Sequence, residues 1–119
     1  MRKPITLQLD AATVTFRELL DELLRFKKLE NLSPRSIDFY EDCGERFAAF
    51  FGEATPCTDI SEDTFYDYIE YLQKKNPDLR PSTLRSYLTG VRAILYYGMK
   101  KGYITQFTVR LPSLFRNME

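Results

Sequence analysis

Apolar residues recur at helical spacing in four stretches of this chain, each opened by a recognisable start signal, and no segment keeps the strict alternation of a strand for long. The pattern predicts an all-α fold. In the first stretch Thr15 and Glu18 have the spacing of a capping box, in which each side chain reaches the other's backbone N–H. Phe16, Leu19, Leu20, Leu23 and Leu24 then give a buried face through to about Glu30. Ser33 followed by Pro34 starts a second helix, with Ser33 as N-cap and proline in the first turn. Its apolar stripe is Ile37, Tyr40, Gly44, Phe47, Ala48 and Phe51, closed by Gly52. Gly44 inside that stripe costs about 1 kcal/mol relative to alanine, which predicts that another helix approaches there.

After a loop over 53–60, Ser61 caps a third helix with core positions Phe65, Tyr68, Ile69 and Leu72. Its acids Glu62, Asp63, Asp67 and Glu70 fall on other faces, and those in the first turn suit the helix dipole. Asn76-Pro77 ends it. A short turn from Asp78 to Pro81 leads into the longest helix, about Ser82 to Lys101, closed by Gly102. The segment from Tyr103 onward shows no clear period and is expected to be an extended exit. Residues 1–13 read as a leader or upstream linker, 14–106 as the helical domain, and 107–119 as the exit linker.

The whole chain of 119 residues is formally neutral, but its charge is segregated. Residues 79–118 hold seven bases and no acid, residues 53–78 two bases and seven acids, and residues 1–52 eight bases and nine acids. A one-sided field of this kind is the footprint of a polyanion-binding surface, although a cationic solvated helix face would give the same count. No apolar run approaches the ~18 residues of a membrane span, and the N-terminus lacks a signal-peptide core, so a cytoplasmic location is expected. Cys43 and Cys57 make no CxxC pair and the chain has no histidine. That gives free thiols and no zinc, redox or other cofactor site.

Spacing sharpens the charge argument. At 100° per residue, Leu84, Tyr87, Leu88, Val91, Ile94, Leu95 and Gly98 fall within an arc of roughly 120°, the core stripe of the fourth helix. Ser82, Arg85, Thr89, Arg92 and Tyr96 fall in a separate arc of roughly 80°, with Lys100 at its edge. Such a line offers donors to phosphate oxygens and base edges, with none of the interspersed acids that a solvated face uses for i,i+4 pairs. The start of the second helix, with Ser33, Arg35 and Ser36, is a further anion-site candidate. Capping by the serines and an Arg35–Asp38 pair would account for it more simply.

The order of these motifs resembles a known family. A T-x-x-E-L-L helix, then L-S-P-R-S-I, then an acidic I-S-E-D-T-F helix, then P-S-T-L-R-S-Y-L-T-G-V-R ending in K-K-G-Y-I, is similar to the N-terminal core-binding, SAM-like domain of tyrosine recombinases, the phage and transposon integrases. The resemblance covers about residues 14–106 and implies a four- to five-helix orthogonal bundle that forms one half of a clamp around a recombination site in double-stranded DNA. It places Arg35 and Ser36 at the start of the second helix, and Arg80, Thr83, Arg85, Thr89 and Arg92 in the DNA-facing region of the fourth, with Lys100 added from the charge pattern. It further implies, as partners, a catalytic domain of the same parent chain and other integrase protomers. That domain would carry arginines, a lysine, histidines and a tyrosine nucleophile. Only 15 residues follow Ile104, so the chain is expected to be a non-catalytic excised domain. The alternative is a helical protein-interaction module that self-associates through its acidic third and basic fourth helices.

Overall fold

The structure, a computed structural model, describes residues 14–111. The leader over 1–13, the end of the exit segment over 112–119 and the base Arg116 lie outside the described residues. Four helices form: α1 (Phe16–Leu29), α2 (Pro34–Phe51), α3 (Glu62–Lys75) and α4 (Pro81–Lys100), with a short 3-10 turn at Cys57–Asp59. No strand is present among the described residues, so the all-α reading stands.

The helix starts follow local chemistry. Thr15 and Glu18 complete their capping box, at 2.9 and 3.2 Å. The next two N–H groups of α1 donate to carbonyls of the loop after α2, Phe16 to Thr55 at 3.0 Å and Arg17 to Glu53 at 2.9 Å. All the orphan donors of this helix end therefore have partners. At the start of α2 the Ser33 hydroxyl accepts from Ser36 N–H at 3.2 Å, with Pro34 in the first turn. At α3 the Thr64 hydroxyl accepts from Ser61 N–H at 3.0 Å. The fourth helix begins one residue before Ser82, because Pro81 fits the first helical position, where its missing N–H costs nothing.

Two helices end alike. Asn31 adopts φ 61°, its N–H donates to the Lys28 carbonyl at 3.0 Å, and Leu32 N–H reaches the Lys27 carbonyl at 3.2 Å. After α4, Gly102 N–H donates to Met99 and Tyr103 N–H to Gly98, at 3.1 and 2.9 Å. Both are Schellman closures, which satisfy the last carbonyls and turn the chain back.

Packing is centred on α2, which touches α1, α3 and α4. An added Cβ at Gly44 would fall on the Leu20 side chain of α1, so the close approach expected there exists. A second close approach, at Gly90 of α4, was not legible from the sequence: a Cβ there would strike Cys43 of α2. Aromatic residues fill the centre, with Phe47 against Phe16 at 5.0 Å and against Tyr68 at 4.9 Å between ring centroids. The loop over 53–60 contributes buried Cys57 and Ile60. Across the far end, Glu22 of α1 accepts from the Tyr97 hydroxyl at 2.9 Å and the Tyr103 hydroxyl at 2.8 Å, with Lys101 at 3.5 Å. Burial, then these bonds to Glu22, push the Tyr103 hydroxyl up to about 12 and that of Tyr97 further.

Candidate nucleic-acid interface

The side of α4 opposite its core stripe is the candidate surface. Leu84, Leu88, Val91, Ile94 and Leu95 are buried, as the period required, and Arg85 is exposed with Thr89 and Arg92 half-exposed. Arg85 and Arg92 are seven positions apart, about 10 Å along the axis. Lys100 is exposed at the end of the same helix, where its cation suits the dipole. No acid sits anywhere on α4, and among the described residues Arg92 and Lys100 form no ion pair. Lys101, by contrast, is engaged with Glu22.

The remaining candidates spread around this line. Arg80 is exposed at the N-cap of α4, roughly 30 Å along the axis from Lys100. Thr83 is half-buried and sits about 160° round the helix from Arg85, so the fold does not bring it onto the line. Arg35 is exposed on α2, and among the described residues it makes no ion pair with Asp38. Phe39 and Cys43 of α2 meet Gly90, the Cys43 thiol faces the Ser86 carbonyl at 3.9 Å, and Arg46 stacks on Tyr87 at 4.3 Å. Contacts thus step down α4 as they step up α2, which puts Arg35 toward the C-terminal half of α4. Ser36 is half-buried and its hydroxyl accepts from that of Ser33 at 3.1 Å, so it is at least a capping residue.

Tyr96 departs from the expected arrangement. Its hydroxyl accepts from Val109 N–H at 2.9 Å and lies 3.4 Å from the Val109 carbonyl. It is therefore bound to the segment after α4, which does not simply leave the domain. Val109 is buried, and Phe107 and Leu111 pack against the core. The signal for this was present: Phe107, Val109 and Leu111 alternate with Thr108 and Arg110, the period of an extended segment with one buried face.

The acids of the third helix stand on a different element. Glu62, Asp63, Asp67 and Glu70 of α3 are exposed, and α2 packs against both α3 and α4. Arg17 uses its guanidinium within the fold, on Glu45 at 2.7 Å and Glu53 at 2.9 Å. Its hydrogen bond to Glu45 raises the Arg17 pKa and holds the Glu45 carboxyl below its ordinary value. Among the described residues no cluster of His, Cys, Asp and Glu could hold a metal ion, and no helix is long and apolar enough to cross a membrane.

The family model for the phage integrase SAM-like domain matches residues 15–110. The chain belongs to this family. The match takes in all four helices of the SAM-like domain and the segment that returns to Tyr96. No individual curated protein and no solved structure matches the chain.

Proposed function

We propose that this SAM-like domain binds double-stranded DNA through the solvent face of α4, as the core-binding half of a tyrosine recombinase clamp whose strand cleavage resides in a separate catalytic domain of the parent protein. The observation that carries the reading is the acid-free line Arg85, Thr89 and Arg92 on the side of α4 away from the core. Two arginines whose backbone positions are about 10 Å apart along a helix axis are on the scale of the ~12 Å width of a B-form major groove, so their long side chains can reach the backbone at its two walls. Thr89 lies between them with a hydroxyl that can donate to a phosphate or a base edge. Lys100 extends the line at one end, and Arg35, Ser36 and Arg80 are secondary contacts, while Thr83, about 160° round the helix from Arg85, is left out of the surface. Attachment-site DNA, the catalytic domain and further protomers on the same DNA are the partners of this reading, and the cytoplasm is its place of action.

The near-neutral net charge makes affinity dependent on this local field, so binding is weak and salt-sensitive. The test is a fluorescence-anisotropy titration on an element-end duplex at low and near-physiological salt. The variant Arg85→Ala/Arg92→Ala should weaken binding and flatten the log–log salt slope by about 0.9 for each phosphate that is no longer neutralised. Glu62→Gln/Asp67→Asn on α3 should leave both unchanged. Far-UV circular dichroism checks that each variant is folded. Equal affinities and slopes for the parent and the arginine variant would remove α4 from the DNA interface and favour self-association through α3 and α4.

A further inference from the structure

The clasp at Tyr96 folds the acid-free stretch back on itself. A hydroxyl carries one donor and two acceptor lone pairs, so Tyr96 can take the Val109 N–H and give its own proton to the Val109 carbonyl. With the Val109 side chain buried at 3% exposure, both the backbone and the side chain of that residue are fixed. Arg110 is the next residue, its Cα about 3.8 Å further along the chain, and it is exposed. Tyr96 itself lies one turn beyond Arg92 on the same face. The clasp therefore brings a cation from the returning segment beside the arginine line of α4. Among the described residues Arg110 has no acidic partner.

We propose that the returning segment is the second half of the phosphate-binding surface: Arg110 contacts the DNA backbone, and Tyr96 is a positioning residue that holds it in place. This rests on the duplex-binding reading above and adds to it a residue outside α4. It also reassigns Tyr96. With its hydroxyl committed to Val109, Tyr96 acts on DNA through Arg110 and not as a phosphate donor of its own.

A double-mutant cycle on the same duplex tests it, with Tyr96→Phe, Arg110→Ala and their combination. Arg110→Ala should flatten the salt slope by about 0.9, the value for one phosphate, and Arg110→Lys should restore it because the charge is kept. Tyr96→Phe should weaken binding and speed hydrogen exchange at the Val109 amide while urea unfolding stays cooperative. In the Tyr96→Phe background, Arg110→Ala should cost clearly less than in the parent. An unchanged slope for Arg110→Ala, in a protein whose Arg85→Ala/Arg92→Ala variant does lose slope, would overturn this inference and leave the duplex-binding reading intact. Strictly additive effects in the cycle would overturn the positioning role of Tyr96. If Arg85→Ala/Arg92→Ala binds like the parent, the duplex-binding reading falls and this inference with it.

Discussion

Tyr68 is fully buried, with Phe47 at 4.9 Å and Phe50 at 5.4 Å, and its hydroxyl has no hydrogen-bond partner among the described residues. Burial pushes that hydroxyl well above the ordinary phenol range. A buried polar group without a partner costs about 1–3 kcal/mol, whereas removing it keeps the ring packing. Tyr68→Phe should therefore hold or raise the free energy of unfolding by up to about 1 kcal/mol in a urea titration. A clear drop would mean that the hydroxyl is satisfied. Asn31 shows the complementary case, a residue placed by its backbone. At φ 61° it occupies the left-handed region, where asparagine is tolerated and a β-branched residue is strained. Asn31→Gly should stabilise slightly, and Asn31→Val should destabilise by about 1–2 kcal/mol, both read by the same titration. The break after α1 was legible from Asn31-Leu32-Ser33-Pro34, because a helix end is written in adjacent residues. The unsatisfied hydroxyl was not, because Tyr68 occupies an ordinary core position of α3 and its surroundings come from α2.

At the crossing of α2 with α1 and α4, two glycines let the backbones approach, and the rule for exposed helices gives the wrong sign for them. Gly→Ala in a solvent-facing helix gains about 1 kcal/mol. At Gly90 the new methyl would fall on Cys43, which is itself fully buried and cannot swing into solvent. Overpacking of this kind costs about 1–3 kcal/mol, so Gly90→Ala should be net destabilising, with Gly90→Val worse. The large side chains at these crossings give the opposite defect. Phe47 and Leu88 are both 0% exposed, and truncation of either to alanine should cost about 2–5 kcal/mol by chemical denaturation. Element by element, the sequence carried the helix starts and core faces, since caps and 3.6-residue periods are local. Gly44 stood out because it interrupts an apolar stripe. Gly90 did not, because it sits between Thr89 and Val91 at the edge of the stripe, and only the arrival of Cys43 makes it necessary. The line Arg85, Thr89, Arg92 was legible for the same local reason, whereas the role of Tyr96 depends on a segment that comes back from the other side of Gly102.

Over the whole molecule, several groups are held neutral by burial, and together they set an alkaline limit. Burial raises Cys43 from 9.0 to about 11 and Cys57 from 9.0 to about 12, and Tyr103 rises to about 12. In each case the folded pKa exceeds the unfolded one, so above pH 9 the unfolded chain gives up protons that the folded chain keeps. The stabilising contribution is full below about pH 9 and declines as pH rises toward 12. Urea midpoints should follow that course, with a shallower decline for Tyr103→Phe, and both thiols should resist a disulfide reagent until the protein unfolds. The pairing of the first turn of α1 with Glu53 and Thr55 has a consequence for motion. Helix termini ordinarily fray, and their amides exchange with solvent through small local openings. Here the amides of Phe16 and Arg17 are held by carbonyls from beyond the far end of α2, so they can open only when that loop departs and the α1–α2 packing is disturbed. Cut out as a peptide, the α1 segment would lose those acceptors, and at 14 helical residues it is close to the length at which isolated helices become marginal. In the intact chain those amides should exchange at the rate of the most protected core positions, so that the beginning of the first helix reports on the unfolding of the entire domain.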